Sequence, residues 1–221
     1  MRVIVLLGAP GAGKGTQAAV LAPRLNLLHL ATGDMFRAAA AAGTPIGLEA
    51  KAYMDRGELV PDHLTVRMLL DRLTASDATH GVILDGFPRT PAQARALDVA
   101  LEERKSGVEE AILIDVPAEE LVRRLSGRRL CRAAGHIYNE VTNPPRVPGE
   151  CDIDRSELYQ RADDQLETVK ARLDQQIPEL LDVCSHYEAQ GKLRTVDGMR
   201  PIDEVTEELV AALSQPSESR A

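Results

Sequence analysis

The sequence predicts an α/β protein, a P-loop-containing parallel five-stranded sheet flanked by helices, with a small β-rich insertion. Two observations predict this class. Short apolar runs rich in β-branched residues alternate with longer segments of helical period, which is typical of parallel strands joined by crossover helices. A single segment, 131–154, breaks the alternation with clustered glycines and prolines, and it is too long for an ordinary loop.

The alternation assigns the elements in chain order. Strands are predicted at 3–7, 27–30, 82–84, 111–114 and 193–196, of which 27–30 has the weakest pattern. Helices are predicted at 14–25, 34–42, 62–73, 91–103, 118–130, 159–190 and 201–213. The last residues, 214–221, read as a frayed polar tail. The core domain therefore comprises 1–130 and 155–221, and 131–154 is the insertion.

Composition limits the class of protein. A chain of 221 residues, 44% of them hydrophobic, is long enough for one full core. No apolar run approaches the roughly 20 residues that span a bilayer, so we expect no membrane segment. A net charge of −8 argues against a nucleic-acid-binding surface. Three cysteines form no disulfide framework, and the first apolar run is too short for an export signal, so we expect a cytoplasmic protein.

The first predicted strand ends in a glycine-rich loop, GAPGAGKGT, which runs from Gly8 to Thr16 and opens directly into a helix. Glycines let backbone N–H groups close around phosphate oxygens, the helix N-terminus adds positive potential, and Lys14 can reach the outer phosphates. The general pattern places Ser or Thr directly after the lysine. Gly15 stands there instead, so the pattern does not by itself make Thr16 a direct Mg²⁺ ligand.

The loop closely resembles that of adenylate kinases, and further motifs continue the likeness through nearly the whole chain. They are ATGDMFR at 31–37, GELV at 57–60, LDGFPR at 84–89, GRR at 127–129 and YQRADD at 159–164. The resemblance implies reversible phosphoryl transfer in which ATP and AMP give two ADP, with Mg²⁺ required. It also implies a monomer whose partners are small nucleotides, with no nucleic acid and no membrane.

The resemblance implies roles for individual residues. For ATP binding they are Gly11, Ala12, Gly13, Lys14, Gly15, Thr16, Arg124, Arg128, Ile137, Tyr138 and Arg200. For AMP binding they are Thr32, Arg37, Glu58, Leu59, Val60, Gly86, Phe87, Pro88, Arg89, Gln93, Arg161 and Arg172. The expected catalytic residues are Lys14, Asp85, Arg89, Arg124, Arg128, Arg161 and Arg172.

Spacing gives some of these arginines a geometric argument as well. Arg124 and Arg128 are four apart, and Arg161 and Arg172 are eleven apart, so each pair shares one face if its segment is helical. Arginines crowded on one face repel one another unless anions lie between them. Phosphate groups would supply those anions, because planar guanidinium groups match phosphate oxygens bidentately.

Chemistry predicts the rest of the mechanism. Asp85 follows an apolar strand, where its carboxylate can hold a water of the Mg²⁺ shell. Phosphoryl transfer needs in-line positioning and charge cancellation, so we expect no covalent enzyme intermediate.

Water must be kept out of the site, so we expect the insertion to be a lid, with a lid region of roughly 127–164. A second moving segment, 32–61, is expected to close over AMP.

Related lids bind structural zinc through Cys-x-x-Cys and a later Cys-x-x-Cys or Cys-x-x-Asp. The matching positions here are Cys131, Ala134, Cys151 and Asp154, so one of four ligands is missing. A structural zinc site normally uses four protein ligands. We therefore expect no structural zinc, and no protein-bound metal, unless His136 swings in as the fourth ligand.

Two other functions remain open at this point. A kinase of the same fold could use GTP as donor to AMP, or it could phosphorylate UMP or CMP. The long lid and the Thr32-Gly33-Asp34 motif weigh against the pyrimidine version. A nucleotide-dependent switch could use the same loop without any acceptor, but that function leaves Arg37, Arg89 and Gln93 unexplained.

Overall fold

The computed structural model describes residues 1–214, so the predicted tail lies outside the described residues except for Ser214. Its main sheet has five parallel strands in the order β2-β3-β1-β4-β8. The strands are β1 Arg2–Leu7, β2 Leu28–Ala31, β3 Gly81–Asp85, β4 Gly107–Asp115 and β8 Leu193–Asp197. The predicted fold class is confirmed, and each predicted strand lies at its predicted place.

Helices cover both faces of this sheet. The α-helices of the described chain are α1 Lys14–Leu25, α2 Thr32–Ala41, α3 Pro45–Asp55, α4 Asp62–Leu73, α5 Pro91–Glu102, α6 Ala118–Ser126, α7 Leu166–Glu188 and α8 Ile202–Leu213. The central strand β1 sends Ile4 and Leu6 into one core cluster and Val3, Val5 and Leu7 into the other, because successive side chains of a strand point to opposite faces. Within residues 1–214, no helix combines the length and the apolar character needed to cross a membrane.

A second, antiparallel sheet forms around the insertion. Its strands are β5 Arg128–Cys131, β6 Ile137–Asn139 and β7 Leu158–Tyr159, in the order β6-β5-β7. It has a separate small core, which consists of Cys131, Tyr138, Cys151 and Leu158.

The borders of this second sheet correct two predicted helices. The helix predicted at 118–130 ends at Ser126, and the helix predicted at 159–190 begins only at Leu166. Pairing with β6 and β7 supplies the backbone hydrogen bonds of 128–131, and this tertiary pairing overrides the helical propensity of the arginines and leucine. The two shared-face arguments were therefore wrong, because Arg128 lies in a strand and Arg161 has extended backbone before a short 3₁₀ turn.

One helix, α3, was not predicted. Its start carries ordinary signals, since Pro45 occupies the first turn and the Thr44 hydroxyl accepts a hydrogen bond from the Gly47 N–H at 3.2 Å. The helix contributes Ala50 to a small buried cluster with Phe36 and Val60, all within the segment 32–61.

Candidate active site

A cavity of about 1020 Å³ opens at the carboxyl ends of the parallel strands. This is where open α/β sheets bind their ligands. The lining includes every residue predicted above for catalysis and nucleotide binding except Phe87. Phe87 has 0% of its surface exposed and packs in the core beside Leu84, so its side chain cannot contact a ligand in the cavity.

The glycine-rich loop lies at one end of the cavity, between β1 and α1. Gly13 caps α1 with a φ of 101°, a left-handed conformation that favours glycine. Lys14 folds back over the loop, and its Nζ donates to the carbonyl oxygens of Gly8 at 2.7 Å and Ala9 at 3.0 Å. No acidic side chain and no side-chain cap occupy the first turn of α1, which leaves its N–H groups available to an anion.

Lys14 and Asp85 face each other in this part of the cavity. Burial lowers the pKa of Lys14 to about 8, with Asp85 opposing the change and Arg89 adding to it. Burial acts to raise the pKa of Asp85, but its hydrogen bond with His29, at 3.3 Å, and the charge of Lys14 outweigh burial and lower that pKa. The carboxylate is therefore ionised at neutral pH. A Cβ on Gly15 would lie 3.3 Å from Asp85 Oδ2, so the glycine after Lys14 leaves room for this carboxylate.

The arginines converge on the middle of the cavity from separate elements. Arg128 donates to both oxygens of the fully buried Asp164, at 2.8 and 2.6 Å. Arg172, on α7, lies 2.9 Å from Asp163 and 3.6 Å from Asp164. These carboxylates orient the two guanidinium groups and partly neutralise them.

Arg161 and Arg89 are held less by carboxylates. Arg89 donates instead to neutral oxygens, the Gly86 carbonyl at 2.8 Å and Gln176 Oε1 at 3.4 Å. The buried Nε of Arg161 has no hydrogen-bond partner, and its nearest carboxylate oxygen, on Asp34, is 3.8 Å from Nη2. Burial, with Arg37 and Arg128 nearby, lowers the pKa of Arg161 to about 10. Burial, with Arg172 nearby, likewise lowers the pKa of Arg89 to about 10. A buried donor without an acceptor is costly, so this group of cations is suited to an anion.

Two side chains of the predicted acceptor side are held by protein partners. The Thr32 hydroxyl donates to the Gly86 carbonyl at 2.8 Å, which ties the end of β2 to the end of β3 and shows that Thr32 does not cap α2. Arg37 pairs with Asp34 at 2.5 Å, three residues earlier on α2.

At the donor end, Arg124 donates to the Gly198 carbonyl at 3.0 Å and to Glu120 at 2.7 Å. The turn after β8 lines the cavity here with Gly198, Met199, Pro201 and Ile202, which sequence reasoning missed apart from Arg200. The carboxyl end of a parallel strand was the available signal. Gln176, also in the lining, carried no comparable signal, whereas Asp163 belongs to the YQRADD motif but was given no role.

The insertion holds a cluster of potential metal ligands. One ligand atom each from Cys131, His136, Cys151 and Asp154 lies within 4.8 Å of all the others. Cys131 Sγ is 3.1 Å from Asp154 Oδ2, and His136 Nδ1 is 3.3 Å from Cys151 Sγ. The structure meets the condition under which a fourth ligand was expected. Ala134 cannot serve, but His136, two residues later, brings a ring nitrogen to the cluster.

Comparisons with known proteins agree with this geometry. The family model described as adenylate kinase matches residues 6–192. The chain is 48% identical over 210 residues to an adenylate kinase of Ruminiclostridium cellulolyticum, covering 95% of this chain and 98% of that protein. Adenylate kinases of Staphylococcus aureus (strain Mu50) and Exiguobacterium sibiricum are 47% and 49% identical over the same length, with the same coverage. The chain belongs to the adenylate kinase family.

Proposed function

We propose that the chain catalyses the reversible transfer of the terminal phosphoryl group of ATP to AMP, which yields two ADP. Buried cations around a single cavity carry this proposal, above all the unpartnered Nε of Arg161. The cavity is at the upper end of the roughly 300–1,000 Å³ typical of a pocket for one small ligand. Its lining has a donor side near the glycine-rich loop and an acceptor side near segment 32–61.

On the donor side, the glycine-rich loop holds the β and γ phosphates, with Lys14 and Thr16 at the helix N-terminus. Arg124, Arg200, Ile137 and Tyr138 frame the base and ribose of ATP. Asp85 fits Mg²⁺, because its buried carboxylate is ionised beside the loop. Magnesium bound with the triphosphate would cancel part of the charge on the transferred group.

On the acceptor side, Arg37, Arg89, Arg161 and Arg172 hold the AMP phosphate. The backbone of 58–60 and of 86–88 encloses the nucleotide, and Gln93 contacts the base. In-line approach of the AMP phosphate oxygen to the γ-phosphorus then needs no covalent enzyme intermediate, because the guanidinium groups stabilise the charge that spreads over the transferred group.

The insertion serves as the lid over this reaction. Its sheet presents Arg128, Ile137 and Tyr138 to the cavity. Closure of this lid would therefore add positive charge to the site and also exclude water from it. The second closing segment is 32–61. We propose a monomer, as the family likeness implied, and three free cysteines support a reducing, cytoplasmic location.

The lid cluster fits structural zinc. Thiolates, imidazoles and carboxylates are all Zn²⁺ ligands, four of them make up a structural site, and both cysteines are only 1% exposed. Cys131, His136, Cys151 and Asp154 would hold the ion. The Ala134 N–H and the Tyr138 hydroxyl contact the two sulfurs as outer-shell partners, at 3.2 and 3.4 Å.

The test starts from pure protein with ADP and Mg²⁺, and it measures ATP and AMP. We expect equal amounts of both. Arg89→Ala should reduce turnover by roughly 10²-fold or more, because it removes a charge that stabilises the transition state. Arg95→Ala, on the exposed face of α5, is the matched control and should change little. Hydrolysis of ATP without AMP, and no product from ADP, would indicate a switch instead.

A further inference from the structure

The side-chain amide of Gln93 is held in one orientation by two partners of opposite character. Its Oε1 accepts a hydrogen bond from the Arg89 backbone N–H at 2.8 Å, and its Nε2 donates to Asp62 Oδ1 at 2.7 Å. A backbone N–H can only donate and an ionised carboxylate can only accept. The assignment of oxygen and nitrogen in this amide therefore follows from its partners.

Asp62 is itself fixed. Its second oxygen, Oδ2, accepts from the Thr90 hydroxyl at 2.9 Å, while Thr90 Oγ1 accepts from the Gln93 N–H at 3.2 Å as the cap of α5. Asp62 is the first residue of α4 and directly follows the segment 32–61. Gln93 lines the cavity and is 1% exposed, whereas Asp62 is absent from the lining.

The fixed amide leaves one lone pair on Oε1 and one hydrogen on Nε2 for a ligand. Adenine complements this acceptor and this donor on both its Watson–Crick and its Hoogsteen edge, because its 6-amino group donates and the neighbouring ring nitrogen accepts. A 6-oxopurine presents an acceptor at the same position. Reading it would require the amide to turn over, which sets Nε2 against the Arg89 N–H and Oε1 against the Asp62 carboxylate.

We propose that Asp62 is a positioning residue that, with the Arg89 N–H, locks the Gln93 amide so that the acceptor site takes 6-aminopurine and rejects 6-oxopurine monophosphates. This inference rests on the proposed function of the site. The base cannot escape the lock by turning over, because the arginines hold its phosphate at the other end. The selectivity therefore comes from a carboxylate outside the cavity lining.

Inosine monophosphate is the probe, because it differs from AMP at position 6 and in the proton on N1. Wild-type enzyme with ATP and Mg²⁺ should show a kcat/KM for AMP that exceeds that for IMP by at least about tenfold. A bidentate amide–base pair discriminates by roughly ten- to hundredfold. Equal use of AMP and IMP by the wild type would overturn the proposal, whether or not any variant folds.

Asp62→Asn keeps the shape of the side chain but can donate as well as accept. We expect its AMP-to-IMP ratio of kcat/KM to fall about tenfold, chiefly through a lower KM for IMP, with kcat at saturating AMP retained. Asp71→Asn, an exposed change of the same charge on the same helix, should leave the ratio unchanged. An unchanged ratio in Asp62→Asn, or an equal loss for both nucleotides, would mean that Asp62 only supports the fold.

The two hypotheses fail separately. If the wild type produces no ATP and AMP from ADP, the proposed function is wrong and the ratio has no meaning. If that reaction proceeds but the ratio does not respond to Asp62→Asn, only the amide lock is wrong.

Discussion

Individual side chains of the cavity are buried cations with few hydrogen-bond acceptors, and a bound nucleotide would supply the missing acceptors and negative charge. The pKa of Lys14 is about 8 because the site is buried and crowded with arginines, and its ammonium has only two loop carbonyls as acceptors. Arg161 holds a buried N–H without a partner. Such unmet demands are typical of sites whose missing group is an anion.

The Lys14 pKa leads to a prediction about proton uptake. Between pH 8 and 10 the empty site holds Lys14 partly neutral, and an incoming triphosphate should raise its pKa and draw up to about one proton. Calorimetry of ATP binding at pH 9, in two buffers of different ionisation enthalpy, measures this uptake. Lys14→Met should abolish it, whereas Lys170→Met, an exposed lysine on α7, should not.

The same pKa predicts the direction in which the stability of the empty protein changes with pH. A folded pKa near 8, below the usual 10.5, means that the unfolded chain binds more protons between these values. The contribution of Lys14 to stability therefore rises with pH across that window, and its charge destabilises the empty fold by roughly 3 kcal/mol below it. Lys14→Met should then be more stable than wild type at pH 7, and its free energy of unfolding should rise less than that of wild type between pH 8 and 10. If urea unfolding shows the same change of unfolding free energy with pH in both proteins, this reasoning is wrong.

Among the elements, the second sheet has only a small core of its own. Four buried residues, two of them cysteines, are few for a unit that must keep its shape if it moves as the proposed lid. Small units of this kind usually need a metal or another cross-link. The cluster around Cys131 and Cys151 is placed to provide one.

We therefore predict that protein purified without chelator contains about one zinc ion per chain, measured by atomic emission. His136→Ala should lower zinc content sharply and reduce the melting temperature, because a structural zinc site that loses a ligand binds weakly. His63→Ala, on the exposed side of α4, is the control for loss of a surface histidine. Full zinc content in His136→Ala, or none in the wild type, would exclude this site.

Helix α7 joins the parts of the whole molecule. Val169 and Leu173 pack in one core cluster and Val183 and Tyr187 in the other, while Arg172 reaches the cavity. Just before this helix, the fully buried Asp164 binds Arg128 of the second sheet and approaches Arg172. One carboxylate thus connects the insertion, the long helix and the site.

Asp164→Asn should destabilise the empty protein by roughly 3–5 kcal/mol, because removal of one partner leaves buried charges uncompensated. Bound nucleotide supplies replacement charge, so the stabilisation by ATP and AMP together should be larger in the variant than in the wild type. Chemical denaturation with and without nucleotides measures both effects. Asp174→Asn, exposed on α7, is the matched control, and a change in Asp164→Asn as small as in this control would contradict the prediction.

Local pattern determined much of this protein. The apolar runs were sufficient to predict the parallel sheet, and the glycine-rich loop was sufficient to predict a phosphate-binding loop at the end of the first strand, because both have signatures within a few neighbouring residues. Family likeness added the arginines. Helical spacing, used for the same arginines, was wrong, although Arg128 and Arg161 do reach the cavity.

Only the tertiary structure decided what depends on contacts between distant residues. Strand pairing turned 128–131 from predicted helix into sheet, and folding of the insertion brought His136 to Cys151, 15 residues away. Asp62 meets Gln93 across 31 residues, a contact that neither segment signals alone. Secondary structure and loop chemistry are encoded locally, whereas ligand clusters and hydrogen-bond partners depend on how the chain returns on itself.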